Sequence, residues 1–254
     1  MYKRTLVISV IVLLIIAAII VGIVIAIDDD TGDFEIRYIG NAKKYESSIK
    51  QGVNRWSSIG TGGISLIFRT GTLSSSVIAS TSGNTITLNE SVFSSQSNNI
   101  KVLTIAHEVG HALGIGTWNT SADILTHSDG QKYLSNTKYP DTAKAYVDKV
   151  RPSGKTIPGA PVETDTTNPG SYLVHWEDKS AYGMQKDLMT YKITSSNTVI
   201  SIVDLTFLDE IGRKVDLDQA QSLKGSLASA IGEYVFKEET IDFVCGTCHN
   251  CHEH

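Results

Sequence analysis

Residues 105–117 read I-A-H-E-V-G-H-A-L-G-I-G-T, and no other stretch limits the fold so tightly. His107 and His111 are four positions apart, so on a helix they stand one above the other on the same face. Glu108 follows His107 directly. The flanking Val102, Leu103, Ile105, Ala106, Val109, Ala112 and Leu113 are apolar, which describes a helix turned into a core rather than one washed by solvent. Two imidazoles and a carboxylate buried there without partners are costly. H-E-x-x-H is the pattern in which two helical histidines grip zinc while the glutamate acts on a water at the metal. Zinc lowers the pKa of such a water to about 7, and a nearby carboxylate can take its proton as it attacks a carbonyl. A catalytic zinc keeps three protein ligands and one open position. A chain with this helix must therefore bring a third ligand from elsewhere. Gly114, three residues past His111, is a natural helix stop and lengthens the pattern to H-E-x-x-H-x-x-G.

The chain has 254 residues and a formal net charge of −5. That length holds one moderate domain or two small lobes, and the lack of a basic stripe argues against a nucleic-acid partner. The three cysteines all fall in the last ten residues, so the main domain has no disulfide framework. Lys3 and Arg4 precede an uncharged apolar run over 5–27. At about 1.5 Å per residue this run is long enough for the ~30 Å hydrocarbon core. No A-x-A cleavage site precedes Asp28-Asp29-Asp30, so an uncleaved signal anchor is preferred to a cleaved secretory peptide. The positive-inside rule then places Met1 in the cytoplasm and the catalytic domain in an extracellular or lumenal space. Asn89-Glu90-Ser91 and Asn119-Thr120-Ser121 match the glycosylation-acceptor pattern.

Between these signals the periodicity gives an order of strand, helix, strands, helix. Residues 34–39 alternate as a strand, and 42–59 place Tyr45, Ile49, Val53 and Trp56 at helical spacing. Residues 64–69, 77–80 and 85–88 read as strands, the last two around Ser82-Gly83-Asn84. Asn98 or Asn99 is placed to cap the motif helix. Regularity falls away after Thr117: 141–150 reads as a short helix, 152–172 is rich in Pro, Gly and Thr, 201–211 has helical spacing, and 217–235 reads as a further helix. The expected class is an α+β lobe with a mixed sheet and two long helices.

Beyond the motif helix the candidate third ligands are His127, His175, His249, His252 and His254. His175 stands out in Ser171-Tyr172-Leu173-Val174-His175-Trp176-Glu177, with Asp187-Leu188-Met189-Thr190 shortly after. Here the chain resembles the leishmanolysin-like metzincin zinc metallopeptidases. Most metzincins place the third histidine three residues beyond the motif glycine, where this chain has Thr117. Leishmanolysin-like enzymes insert a segment and deliver it from an H-W-E triplet, which His175-Trp176-Glu177 matches. Asp187-Leu188-Met189 resembles their methionine turn. Tyr139-Pro140-Asp141-Thr142-Ala143-Lys144, Gly159-Ala160-Pro161-Val162-Glu163 and Leu205-Thr206-Phe207-Leu208-Asp209-Glu210-Ile211-Gly212 resemble further parts of the same family. The likeness runs from about 86 to 215.

The resemblance implies a metzincin or zincin-like catalytic domain, with a mixed twisted sheet and two long helices in the N-terminal lobe and an irregular C-terminal lobe. The apolar run over 5–27 adds a single transmembrane helix before it, where some members of the family carry a C-terminal lipid anchor instead. It implies one catalytic Zn2+ held by His107, His111 and His175, Glu108 as general base and acid, and Met189 as an apolar floor. The implied activity is hydrolysis of peptide bonds in protein or peptide substrates. The strand expected at Ile86 to Asn89, read as an edge, is where an extended substrate would add and gain main-chain hydrogen bonds. The organisation is then a cytoplasmic tail (1–4), a signal anchor that partners the membrane (5–27), a tether (28–33), an N-terminal lobe (34–116), a C-terminal lobe with insert and methionine turn (117–215) and an extension (216–254).

Departures are plain. The catalytic region lacks the cysteines usual in that family, and none precedes the motif to serve a cysteine-switch propeptide. Tyr191, two residues after Met189, resembles the zinc-binding tyrosine of other metzincin groups but reads first as a core or rim residue. Cys245, Cys248, Cys251, His252 and His254 crowd the terminus as a second metal site or a disulfide. Cys245 to His249 also spells the haem-attachment pattern C-x-x-C-H. A rival reading is a catalytically silent, membrane-tethered protein of metzincin fold that binds without turnover.

Overall fold

The computed structural model describes residues 34–61, 63–118, 122–166 and 171–220, and the backbone of 244–246. In chain order the elements that place the site are β1 (Glu35–Ile39), α1 (Glu46–Ser57), β2 (Ser65–Gly71), β3 (Val77–Ser82), β4 (Thr85–Asn89), α2 (Asn98–Leu113), β5 (Ile124–Thr126), β6 (Lys132–Leu134), α3 (Pro140–Ala145), α4 (Ile202–Glu210) and β7 (Val244–Gly246). Returning through a helix makes β1 and β2 parallel, with Glu35 opposite Ser65 and Ile39 opposite Arg69. β4 lies parallel beside β2, and β3 folds back antiparallel on its outer side. β7 pairs with β3, so the sheet order is β1-β2-β4-β3-β7. This is a mixed α+β architecture.

Alternation along the strands turns Leu66, Phe68, Ile86 and Leu88 inward, where they are fully buried. Ile49, Val53 and Trp56 of α1 are buried with Leu103, Ile105, Ala106 and Val109 of α2 in the same core. Each such side chain contributes roughly 1.5–3 kcal/mol relative to exposure. The two helices are also cross-linked: the Trp56 Nε1–H donates to the Ala106 carbonyl at 2.6 Å. Ser97, not Asn98 or Asn99, caps α2, its hydroxyl accepting from the Ile100 N–H at 3.4 Å. Asn98 instead accepts from the Ser48 hydroxyl of α1 at 2.9 Å, so its side chain is spent on helix–helix contact. α2 ends where Gly114 takes φ +124°, a conformation that β-carbon-bearing residues rarely adopt. The Arg213 Nε–H donates to the Leu113 carbonyl at 2.9 Å and satisfies one of the acceptors that every helix end leaves open.

Beyond α2 the chain is held by single bridges rather than long strands: Tyr133 with Pro161, Val162 with Trp176, Trp176 with Thr190, and Asp187 with Val199. α3 continues as a π turn, Tyr146–Val150, and α4 begins with a capping box of Ser201 and Asp204. Aromatic packing fastens this half to the motif helix. Trp118, just past α2, stacks on Trp176 at 4.5 Å, and Phe207 of α4 meets Trp118 edge-on at 4.7 Å. Such contacts suit the aromatic quadrupole.

Several expectations need correction. Among the described residues no helix is long and apolar enough to cross a membrane. The longest, α2, has 16 residues, about 24 Å at 1.5 Å per residue, short of the ~30 Å core. The apolar run over 5–27 lies outside the described residues. The single transmembrane helix, the signal anchor and the extracellular or lumenal location built on it are therefore withdrawn. β4 is not an edge, because β2 and β3 flank it, so a substrate cannot add along Ile86 to Asn89. Asn89 is buried and its amide donates to the Ser74 and Val77 carbonyls, which removes it as a glycosylation acceptor. Of the helix expected over 217–235, a single 3-10 turn, Leu217–Gln219, is described, and 221–235 lies outside the described residues.

The Trp56 to Ala106 bond predicts that Trp56→Phe, which keeps most of the ring and loses the donor, lowers stability by about 1–3 kcal/mol. Urea denaturation of the two proteins checks this. Equal midpoints mean the bond contributes nothing.

Candidate metal centre

The polar side chains of α2 sit in the core: His107 and Glu108 are fully buried and His111 is 6 % exposed. His175 arrives from the irregular half, also fully buried. The three Nε2 atoms meet. His107 to His111 is 3.0 Å, His111 to His175 is 3.1 Å, and His107 to His175 is 3.2 Å. Three nitrogens about 2.0–2.1 Å from one tetrahedral ion lie about 3.3 Å apart, so the triangle has the size of a single metal site.

The outer nitrogens decide what the inner ones can do. His107 Nδ1 is 2.7 Å from the Leu188 carbonyl, His111 Nδ1 is 2.8 Å from the Ile115 carbonyl, and His175 Nδ1 is 3.2 Å from the Ser171 carbonyl. A carbonyl only accepts, so each Nδ1 carries the proton and donates. Each Nε2 then presents a lone pair, and three lone pairs face one another with no proton between them. A cation at their centre removes that repulsion. Carbonyl-fixed tautomers of this kind are the usual outer support of metal-binding histidines. The His107, His111 and His175 cluster can therefore hold a metal ion.

Glu108 is held separately. The Thr81 hydroxyl of β3 donates to Glu108 Oε2 at 2.6 Å and lies 3.0 Å from the Glu108 carbonyl. Met189 is fully buried and occupies the α2 turn between the two histidines. A β-carbon on Gly110 would lie 2.4 Å from Met189 Sδ and 2.9 Å from Trp56 Cζ2, so the second variable position of H-E-x-x-H has room only for glycine. The Met189 N–H donates to Asp187 Oδ1 at 2.7 Å, and the Met189 carbonyl accepts from the Trp176 N–H at 3.1 Å. The Trp176 Nε1–H in turn donates to Asp204 Oδ1 at 2.7 Å. The residues on either side of His175 and Met189 are thus tied to one another and to α4.

Asp187 and Asp204 are both fully buried. Burial first, then the Asp204 charge, pushes the Asp187 carboxyl well above its usual range. Asp204 is pushed up to about 6, mainly by burial, against the pull of the Trp176 donor. Asp187 Oδ2 has no other hydrogen-bond partner. A proton kept on Asp187 satisfies that atom and lets the two acids pack together beneath the methionine turn.

From the sequence neither Thr81 nor Asp204 stands out, and Asp187 does so only as part of the Asp187-Leu188-Met189 likeness, without a role. Ser201-Ile202-Val203-Asp204 has the spacing of a capping box, which was a readable sign that Asp204 starts a helix, though not that it holds Trp176. Tyr191 is 7 % exposed, with the Lys192 ammonium over its ring at 5.1 Å. His127 pairs with Asp129 at 3.0 Å, away from the cluster. Cys245 falls in β7, of which only the backbone is described, and Cys248, His249, Cys251, His252 and His254 lie outside the described residues.

In comparisons with known proteins, no family model, no curated protein and no solved structure matches the chain. The fold is thus stated as mixed α+β and no more narrowly. The metzincin or zincin-like name given to it from the motifs is withdrawn, because nothing beyond those motif residues carries it.

Burial lowers His107 from 6.5 to about 3, with His111 adding to the effect, and lowers His111 to about 4. It drives His175 well below 6.5, and the other two histidines add to the shift. A folded-state pKa below the unfolded one means the unfolded chain takes up protons first as pH falls. The stability contributed by neutral histidines is therefore present above about 6.5 and is lost progressively down to about 4 and 3. Because Asp187 and Asp204, raised by burial, titrate with the opposite sign near the same pH, the histidines are best read one ring at a time. NMR titration of the metal-free protein should show all three imidazoles still neutral at pH 5.5. Protonation of any of them near 6.5 contradicts the neutral, buried triad.

Proposed function

We propose that the protein is a zinc-dependent metalloendopeptidase that hydrolyses peptide bonds in protein substrates. The observation that carries this reading is the aim of three carbonyl-fixed histidines at one point, with Glu108 on the same helix. The donor set suits the metal. Three neutral imidazoles are a protein ligand set of catalytic zinc, whereas structural sites take four protein ligands. Magnesium and calcium take oxygen ligands instead. The motif likeness to leishmanolysin-like peptidases, in H-E-x-x-H-x-x-G followed by the histidine of an H-W-E triplet, points the same way.

His107, His111 and His175 would hold the ion. Zinc bound there polarises a carbonyl oxygen and makes a water acidic enough to lose a proton near pH 7. Glu108 supplies the acid–base work. Its carboxylate takes the proton of the attacking water as the water oxygen bonds to the carbonyl carbon. It then delivers that proton to the amide nitrogen as the C–N bond breaks. Thr81 fixes one carboxylate oxygen, so Glu108 is oriented before substrate arrives. Met189 and Trp176 keep the two sources of histidine in register. These positioning contacts matter because a displacement of an ångström at a reacting group costs orders of magnitude in rate.

Glu108→Gln keeps the shape and the Thr81 bond but cannot accept a proton. It should leave zinc content and circular dichroism unchanged and reduce kcat on an unfolded protein substrate by about 10²–10⁴-fold. Cleavage is read by mass spectrometry of the products. If wild-type protein carrying zinc at the triad cleaves nothing in a broad peptide mixture, the silent binding reading takes the place of the enzyme.

A further inference from the structure

A second group of convergent ligands lies on the segment that delivers His175. Val162 bridges Trp176 in antiparallel fashion, with the Glu163 N–H donating to the His175 carbonyl at 2.9 Å and the Glu177 N–H donating to the Pro161 carbonyl at 3.0 Å. One carboxylate oxygen from each of Glu163, Glu177 and Asp178 falls within 4.8 Å of the others. Unlike a solvated acidic patch, two of these side chains are almost entirely buried: Glu163 and Glu177 are each 1 % exposed.

The bonding around them is incomplete. Glu177 is well served, accepting from the Thr164 hydroxyl at 3.2 Å and from the Lys179 ammonium at 2.9 Å. Glu163 is not. Its Oε1 accepts from the Asp165 N–H at 2.6 Å, but its Oε2 is buried with no hydrogen-bond partner, and no basic side chain pairs with it among the described residues. A carboxylate oxygen shut away from water and donors, among other carboxylates, calls for a cation. The ammonium of Lys179 is largely exposed and bonds Glu177 and, at 3.4 Å, the Thr164 hydroxyl, with no hydrogen bond to Glu163.

We infer that Glu163, Glu177 and Asp178 form a second metal site, for a hard divalent cation of the calcium class, which clamps the 161–165 segment to the 175–178 segment. The donors are all oxygen, the set preferred by calcium and avoided by soft metals. Calcium–oxygen distances of about 2.3–2.6 Å put ligands on opposite sides of the ion up to about 5 Å apart, which accommodates the observed spacing. Irregular, loop-borne carboxylates also suit calcium better than the small octahedron demanded by magnesium. The clamp would act on the backbone pairing that presents His175. It does not depend on the chain being a peptidase, since binding is read without turnover.

The test is calcium titration of the zinc-loaded full chain, followed by calorimetry and by Tm, with magnesium as the control. The Cys/His-rich terminus does not confuse the result, because its soft ligands disfavour calcium. One equivalent of calcium should bind, and Tm should rise with calcium more than with magnesium. Glu163→Gln, which keeps the shape and removes the charge, should weaken binding about tenfold or more, as expected when a ligand charge is lost, while zinc content stays as in wild type. If Glu163→Gln fails to fold, Asp178→Asn at the half-buried member gives the same readout. No binding through the millimolar range, or equal binding by wild type and variant, overturns the site.

Discussion

Three imidazole lone pairs facing one another at 3.0–3.2 Å repel unless a cation sits between them. The arrangement in the described half of the chain beyond α2 is understandable as the means of keeping them there. Two of the rings come from one helix four residues apart, which costs no loop closure. The third comes from 64 residues further on (175 against 111), and its loop must be ordered before any metal can be gripped. Packing of Trp118 and Trp176 against each other and against α4 supplies that ordering. Trp118 stacks on Trp176, Phe207 closes on Trp118, and Asp204 accepts from the Trp176 indole.

The same contacts bury the site. Imidazoles are pushed below their ordinary basicity by burial, so they stay neutral and available as ligands. Glu108 is equally buried, yet its hydroxyl partner Thr81 comes from the sheet rather than from the helix. Glu108 and the outer nitrogens of the histidines are thus held by different layers of the fold. Asp187 and Asp204 extend this arrangement beneath the methionine turn, where one retained proton lets two acids share an apolar interior.

The helix of the motif was legible because apolar spacing and H-E-x-x-H reinforce each other in one local pattern. His175 was legible only through its neighbours Trp176 and Glu177, since nothing in periodicity marks a ligand on an irregular segment. The strands before α2 were visible in alternation, but their order was not. β4 inserts beside β2, which makes it an interior strand, and pairing across the sheet is a long-range choice that local pattern does not encode. Asn98 shows a related limit: a good capping residue lost that role to Ser97 because Ser48 of another helix claimed its side chain. Thr81 and Glu163 were illegible for the same reason, their meaning being set by residues distant in the chain.

The central claim is that His107, His111 and His175 act together as one metal centre. The most direct measurement is zinc content by elemental analysis of purified wild-type protein and of His175→Ala, with circular dichroism confirming that both are folded. Removal of His175 should lose one tightly bound equivalent relative to wild type, whatever other metal the chain carries. Equal zinc content in the two folded proteins would contradict the three-histidine centre.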